Sequence, residues 1–300
     1  MTWTMHHGDC LEWMRTLPDK SVDAIVSDPP YPEISRDYGR LSEPEWHVLM
    51  RGVVEQSRRV LKPSGSAVFI LQPNSERVGR MRPWLWEFLA WTAREWNQVQ
   101  DAWWWNTAAL PLGGGEIGLM RPSLKACVWL GEPDCYRNQD AVLWGESEAN
   151  AAARTERRFG VESYPSGRQV NRAAMHDAAV RRGGVTPFNV LPLPNTNSTD
   201  SGGAHGHGAA TPYPLCAWWV RYLSKPGETI LDPFTGSGTT GAAALRLGRH
   251  FMGAEKDETH YATACERLAA EEGGSTLAAA RAGQLSLLAD PSPDSGKVSP

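Results

Sequence analysis

The chain has 300 residues, 41% of them hydrophobic, and its 30 lysines and arginines against 34 acidic residues give a formal net charge of −4. This length fits one large α/β domain or a domain with a smaller insertion, and the charge excludes a globally basic surface, so any affinity for nucleic acid needs a local patch. The five cysteines form no C-x-x-C pair, and neither an N-terminal signal region nor a run of membrane-spanning length occurs. We therefore expect a reduced, cytoplasmic protein without membrane attachment and without a metal site.

The N-terminal part is predicted to alternate strands and helices. Residues 1–8 are predicted to form a weak strand that leads to the acid Asp9, and a short helix is predicted over residues 11–17. A buried strand over residues 22–26 leads into a polar loop over residues 33–43. A capping-box pattern then starts a helix over residues 44–61, in which apolar residues keep helical spacing.

The strand over residues 22–26 ends at the sequence Asp28-Pro29-Pro30-Tyr31, the first predicted site. In open α/β sheets, ligands bind at the carboxyl ends of strands. The proline nitrogens cannot donate, so the Asp28 carboxylate and the rigid Pro29 carbonyl form two fixed acceptors that suit a planar NH₂ group. Tyr31 adds an aromatic face for stacking. The combination favours the exocyclic amine of a nucleobase, and a simple turn is the alternative interpretation.

Further elements are predicted up to residue 131. Residues 67–71 read as a buried strand, and residues 75–97 as an aromatic-rich helical region that is broken or restarted at Pro83. Two more strand candidates follow over residues 99–105 and 124–130.

The character of the sequence changes over residues 132–186, where apolar periodicity fades. Between residues 154 and 182 there are seven arginines against three acids, a local balance of +4. Such a stretch fits contact with DNA, and a solvated surface is the alternative. The Gly-rich loop of residues 194–210 contains His205 and His207, which in such a loop more often bind nothing than a metal.

The second predicted site lies in the last third, where a strand over residues 228–232 runs into a glycine-rich turn. Gly236-x-Gly238-x-x-Gly241 satisfies the dinucleotide fingerprint, and Glu255 lies 255 − 236 = 19 residues after the first of these glycines. These features fit any adenosine-bearing cofactor, so an NAD-dependent oxidoreductase is an alternative to an enzyme that uses S-adenosylmethionine. The amine-binding corner favours S-adenosylmethionine, because hydride transfer has no use for it. Residues 273–300 are predicted to form a disordered tail.

Asp28-Pro-Pro-Tyr31 and Asp232-Pro-Phe-Thr-Gly-Ser-Gly-Thr-Thr240 together resemble the motifs of the DNA amino-methyltransferases, which modify exocyclic amines of adenine or cytosine. Their order resembles the β group of that family, whereas methyltransferases that act on protein glutamine place the glycine-rich loop first. The resemblance implies an α/β fold with a circularly permuted, Rossmann-like methyltransferase sheet and helices on both faces. It also implies a catalytic domain in two parts, residues 1–131 and 187–272, with a DNA-recognition insertion over residues 132–186.

Carried over position by position, the resemblance implies that Asp28, Pro29, Pro30 and Tyr31 hold a flipped base. It implies cofactor contacts for Asp9, Cys10, Thr211, Asp232, Phe234, Gly236, Ser237, Gly238, Thr239 and Glu255. The arginine-rich stretch falls where the family inserts its target-recognition region, which implies DNA contacts for Arg154, Arg157, Arg158, Arg168 and Arg172.

The resulting prediction is methylation of N6 of adenine in double-stranded DNA by S-adenosylmethionine, with N4 of cytosine as the alternative. Asp28 resembles the adenine enzymes, whereas Pro32 and the Tyr213-Pro214 ending depart from their usual pattern. A DNA-binding protein that has kept only a methyltransferase shell is a further alternative. A restriction endonuclease is a candidate partner, and the oligomeric state is open between monomer and dimer.

Overall fold

The computed structural model describes residues 1–35, 39–109, 119–145, 161–163, 169–171, 178–195 and 211–281. The strands are β1 (Trp3–His7), β2 (Val22–Ser27), β3 (Leu61–Leu71), β4 (Ser75–Arg77), β5 (Arg80–Met81), β6 (Gln98–Gln100), β7 (Trp103–Trp105), β8 (Leu124–Gly131), β9 (Val161–Ser163), β10 (Gln169–Asn171), β11 (Val190–Pro192), β12 (Thr229–Asp232) and β13 (His250–Glu255). The helices are α1 (Cys10–Thr16), α2 (Glu43–Val60), α3 (Trp84–Glu95), a 3-10 helix (Gln139–Val142), α4 (Tyr213–Leu223), α5 (Thr239–Arg246), α6 (Glu258–Glu272) and α7 (Leu277–Arg281).

Nine strands of the described chain form one mixed sheet in the order β1-β13-β12-β2-β3-β8-β7-β11, with β6 beside β8. The strands from β1 to β3 in this order run parallel, and β8 then pairs antiparallel with both β3 and β7. In the register of the central pair, Leu231 of β12 lies opposite Ile25 of β2. The ends of these two strands are therefore neighbours, although more than 200 residues separate them in sequence.

Helices cover both faces of the sheet, which confirms the predicted α/β fold. On one face, α1, α2 and α3 bury residues such as Met14, Met50 and Phe88. On the other face, α4, α5 and α6 contribute a second core cluster that includes Trp219 and Leu268. Strand β2 is buried along its whole length, as expected for a parallel strand covered on both sides.

Two of the sequence predictions in the middle of the chain were wrong in detail. The first part of the predicted helical region over residues 75–97 forms the β4–β5 hairpin, whose turn contains Gly79 at φ 76°. The predicted restart at Pro83 is confirmed, because helix α3 begins at Trp84. The predicted strand over residues 99–105 is divided into β6 and β7, which pair with different parts of β8. In both stretches, the pairing of strands decides which residues form the elements, and the local sequence does not show which strands pair.

The predicted tail also differs from the structure at its start. Helix α7 lies within it, with Leu277 only 1% exposed and Arg281 paired to Glu266 at 2.6 Å. The chain is therefore ordered through Arg281, and residues 282–300 lie outside the described residues. Within the described ranges, no helix is both long and apolar enough to cross a membrane.

Candidate active site

A cavity of about 500 Å³ lies at one edge of the sheet, where the parallel strands β1, β2, β12 and β13 end. Its lining includes Asp9, Asp28, Tyr31, Gly236 and Glu255, so both sequence motifs meet in one space. Parallel strands present their carboxyl ends at the same edge, which is why residues so distant in sequence come together.

The Asp28 carboxylate is held by donors on both of its oxygens. Its Oδ1 accepts a hydrogen bond from the Tyr31 hydroxyl at 2.5 Å, and its Oδ2 accepts one from the Thr211 hydroxyl. The Lys125 ammonium lies 3.5 Å from Oδ2, and the Asp28 side chain is 17% exposed. A carboxylate offers about four acceptor sites, so these donors leave acceptor capacity for a ligand in the cavity.

The proline corner after β2 is anchored from outside the cavity. Trp46 of α2 donates its indole N–H to the Pro30 carbonyl at 2.6 Å. Asn74 donates to the Pro32 carbonyl at 2.7 Å and accepts from the Trp84 indole at 2.8 Å. The corner therefore has little freedom to rotate, which suits a site that must present fixed acceptors.

The glycine-rich loop after β12 is tied to the carboxylate that ends β13. Glu255 accepts hydrogen bonds from the backbone N–H groups of Gly236 and Asp257, each at 2.8 Å. Gly236 and Gly238 have φ values of 54° and 84°, which a residue with a side chain rarely adopts. The backbone path therefore favours glycine at both positions, and at Gly238 a Cβ atom would also come within 3.3 Å of Ala264.

One buried polar atom in this loop lacks a partner among the described residues. The Ser237 side chain is 3% exposed and lines the cavity, and its hydroxyl forms no hydrogen bond within that part of the chain. Buried polar groups in folded proteins are almost always paired. A polar ligand atom in the cavity would supply the missing partner.

Asp232 links the two halves of the site. Its Oδ1 accepts hydrogen bonds from the Ser27 hydroxyl at 2.5 Å and from the Phe234 backbone N–H at 3.1 Å. Burial raises the pKa of this carboxyl to about 6. The residue lines the cavity, and its hydrogen bonds join the end of β2 to the start of the glycine-rich loop.

Asp9 and Cys10 line the same cavity at the start of α1. The Asp9 carboxylate caps that helix by accepting from Leu11 and Glu12 N–H groups at 2.8 and 3.0 Å. Burial, with a smaller contribution from the Asp9 charge, raises the pKa of the Cys10 thiol to about 12. The thiol is therefore neutral, which argues against a nucleophilic role.

Two residues of the predicted cofactor set have protein partners of their own. Thr211 donates to Asp28, so the structure places this hydroxyl in the base corner, and its cofactor contact stays a prediction. The Thr239 hydroxyl accepts a hydrogen bond at 3.0 Å from the guanidinium of Arg267, which is 1% exposed. Phe234 lies in the cavity wall, whereas Gly238 caps the start of α5 and is not among the lining residues, so the cofactor contacts of both stay predictions.

Sequence reasoning missed several lining residues, namely Trp104, Asn106, Lys125, Asn195, Lys256 and His260. The sequence offered a signal only for Lys125, a lysine in the predicted strand over residues 124–130, which is otherwise apolar. The five arginines assigned to DNA contact, at positions 154, 157, 158, 168 and 172, all lie outside the described residues.

Known proteins resemble this chain in sequence over most of its length. M.PvuII of Proteus hauseri, a Type II methyltransferase, is 23% identical over 291 residues, which cover 88% of this chain and 83% of that protein. M.HinfI of Haemophilus influenzae, also a Type II methyltransferase, is 24% identical over 285 residues, which cover 88% of this chain and 68% of that protein.

Solved structures share the fold. PvuII DNA methyltransferase, described as cytosine-N4-specific, matches with a TM-score of 0.66 at 20% identity over 88% of this chain and 86% of that one. TTHA0409 of Thermus thermophilus, assigned as a DNA modification methylase and solved with S-adenosyl-L-methionine, matches with a TM-score of 0.58 at 20% identity over 92% and 98%. The N6/N4 methyltransferase family, described as DNA methylase, matches residues 22–266 of this chain. This match spans well over half of the 300 residues, so the chain belongs to the N6/N4 family of DNA methyltransferases.

Proposed function

We propose that the protein transfers a methyl group from S-adenosylmethionine to the N6 amine of adenine in double-stranded DNA. The observation that carries this proposal is the Asp28 carboxylate, which lines the same cavity as the glycine-rich loop of residues 233–238. One space thus combines an acceptor for a planar amine with a place for an adenosine-bearing cofactor.

S-adenosylmethionine fits the residues that line the loop side of the cavity. The Ser237 hydroxyl lacks a partner within the described chain, and Glu255 keeps acceptor sites beyond its two backbone hydrogen bonds. Two proteins that share the fold, TTHA0409 and M1.HpyAVI, were solved with this cofactor. When bound, S-adenosylmethionine supplies a methyl group on a positively charged sulfur that becomes neutral as the methyl group leaves. The residues expected to hold it are Asp9, Cys10, Phe234, Gly236, Ser237, Gly238, Thr239 and Glu255.

The base corner prepares the amine for attack. Flipping a base out of the duplex costs about a few kcal/mol in unstacking, and stacking on Tyr31 offsets part of that cost. The Asp28 carboxylate and the Pro29 carbonyl accept the two N–H groups of the amine. Two acceptors at fixed angles favour a pyramidal amine nitrogen, whose lone pair is then no longer delocalised into the ring. The lone pair can therefore attack the methyl carbon. After methyl transfer the nitrogen is positively charged and must lose one proton. The Asp28 carboxylate, which is hydrogen-bonded to the amine, is placed to accept that proton.

The choice of adenine depends on the acceptor at position 28. Asp28 offers a full negative charge to the amine, and an Asp at this position of the motif resembles the adenine enzymes of the family. Cytosine N4 is the second candidate, because PvuII DNA methyltransferase, which shares the fold, is cytosine-N4-specific. Either amine is methylated by the same chemistry, so the distinction needs a direct measurement.

The test is to incubate the protein with labelled S-adenosylmethionine and unmethylated duplex DNA of random sequence, and then to analyse the digested nucleosides. We expect labelled N6-methyladenine. N4-methylcytosine without N6-methyladenine would overturn the adenine assignment and leave the family and the cofactor untouched. The control is Asp28→Ala, which should lose on the order of 10²–10³ in turnover. Calorimetry that showed binding of NAD and none of S-adenosylmethionine would contradict the cofactor proposal.

A further inference from the structure

The base corner contains a cation to which the chemistry above assigns no role. The Lys125 ammonium lies 2.9 Å from the Tyr31 hydroxyl oxygen and 3.5 Å from Asp28 Oδ2. Its side chain is only 16% exposed and lines the cavity. A lysine is rarely buried to this degree without a specific partner, so its placement here calls for a role.

The sheet register determines where this lysine lies. Strand β8 pairs with β7 so that Lys125 lies opposite Trp104. The ammonium consequently lies 5.0 Å from the centre of the Trp104 ring and 5.3 Å from the centre of the Tyr31 ring. The face of the Trp104 ring, the Tyr31 hydroxyl oxygen and one carboxylate therefore offset the loss of water around the charge.

The hydrogen bonds that join Lys125, Tyr31 and Asp28 can be assigned a donor and an acceptor in only one way. An ammonium can only donate, so the Tyr31 oxygen accepts from Lys125 and its own proton points to Asp28 Oδ1, 2.5 Å away. Thr211 donates to the other carboxylate oxygen. The hydrogen bonds therefore run from Lys125 to Tyr31 and from Tyr31 to Asp28. Together with the hydrogen bond from Thr211, they fix the rotation of the Asp28 carboxylate.

We propose that Lys125 is a positioning residue for methyl transfer, and that it acts through the Tyr31 hydroxyl; this role rests on the proposed function. Lys125 keeps the hydroxyl proton directed at Oδ1, and the carboxylate then presents its remaining lone pairs to the target amine in one orientation. Small errors in the placement of a reacting group are costly in rate, on the order of 100-fold for about 1 Å. A cation that acted directly on the amine would instead slow methyl transfer, because it would oppose the positive charge that develops on the nitrogen.

The test is a double-mutant cycle of Lys125→Met and Tyr31→Phe, measured as single-turnover methylation of duplex DNA from labelled S-adenosylmethionine. We expect Lys125→Met to lower the rate on the order of 10- to 100-fold, with little change in cofactor affinity by calorimetry. In the Tyr31→Phe background the same substitution should have almost no further effect, because the hydroxyl through which Lys125 acts is gone. Lys125→Arg, which keeps the charge and the donors, should recover part of the rate.

The matched control is Lys225→Met, since the Lys225 ammonium also lies over a tyrosine ring, 4.8 Å from the centre of Tyr136, but outside the cavity. Its rate should equal that of the wild type. Lys125→Gln, whose amide can still donate to Tyr31, replaces the methionine variant if that variant does not fold, and it should lose less than about tenfold. Additive losses in the cycle, or an unchanged or faster Lys125→Met, would overturn the proposal. A wild type without activity on any DNA would instead refute the proposed function.

Discussion

Asp232 is the residue at which the base corner and the glycine-rich loop touch. Its side chain is 3% exposed and accepts from Ser27 and from the Phe234 N–H, and burial raises its pKa from 3.8 to about 6. Between these two pH values the folded protein keeps a proton on Asp232 that the unfolded chain has released. The carboxyl therefore lowers the free energy of unfolding as the pH rises through this window, and the loss is complete above about pH 6.

Asp232→Asn removes this titration and keeps an oxygen for both donors. The quantity to follow is the free energy of unfolding of the variant minus that of the wild type. We expect this difference to increase between about pH 4 and pH 6 and to stay constant above pH 6. About two pKa units correspond to an increase on the order of 2–3 kcal/mol. Urea unfolding at several pH values measures it, with the exposed Asp134→Asn as the control for loss of a carboxylate. A difference that does not change with pH would show that Asp232 titrates normally.

At the scale of elements, helix α2 supports the proline corner. The sequence predicted this helix from its capping box, and the structure confirms the reciprocal hydrogen bonds between Ser42 and Glu45. One turn further on, the fully buried Trp46 donates to the Pro30 carbonyl at 2.6 Å and packs edge-on against Trp84 at 4.6 Å. The helix therefore positions the corner through a single indole N–H.

Trp46→Phe tests this support, because it keeps most of the aromatic volume and removes the donor. A buried carbonyl left without a partner costs about 1–3 kcal/mol, and the Pro30 carbonyl is only partly buried, so we expect a cost at the low end of this range. The melting temperature should fall and methylation should slow, with unchanged affinity for S-adenosylmethionine. Thermal unfolding and calorimetry give the two readouts. Trp86→Phe on α3, where the side chain is 50% exposed, is the matched control. Equal effects of the two substitutions would mean that the Pro30 contact has no special role.

Elements with strong local signals were predictable, and those that depend on pairing were not. The strands that carry Asp28 and Asp232 followed from apolar runs that stop at proline, and both are present. Lys125 was missed because its approach to Asp28, 97 residues away in sequence, depends on the pairing of β2 with β3 and of β3 with β8. The hydrogen bond from Thr211 to Asp28, 183 residues apart, was missed because it also joins distant parts of the chain, and the predicted cofactor contact of Thr211 stays a prediction. A sequence motif indicates which residues belong to a site, whereas contacts between residues distant in sequence decide which atoms they bind there.

At the scale of the whole molecule, the two motifs meet because the sheet places β2 beside β12, with Ala24 opposite Ile230. The Asp232 carboxylate accepts from Ser27, the last residue of β2, so the end of one motif strand is bonded to the end of the other. A shift in this pairing would separate the amine acceptors from the cofactor loop. The two motifs therefore meet through the pairing of β2 with β12, although they lie near opposite ends of the chain.

The net charge of −4 leaves the molecule without a general attraction for DNA, so its affinity must come from local groups. We propose that Arg154, Arg157 and Arg158, which lie outside the described residues, neutralise backbone phosphates. Each phosphate contact contributes about 0.9 to the slope of log K against log salt, so replacing all three arginines by glutamine should weaken binding and reduce the slope by up to about 2.7. Fluorescence anisotropy with a labelled duplex at several salt concentrations measures the slope. The control replaces the exposed Arg58, Arg94 and Arg281, which changes the net charge equally. If both triple variants reduce the slope alike, the effect is one of total charge and the arginine-rich stretch is a solvated surface.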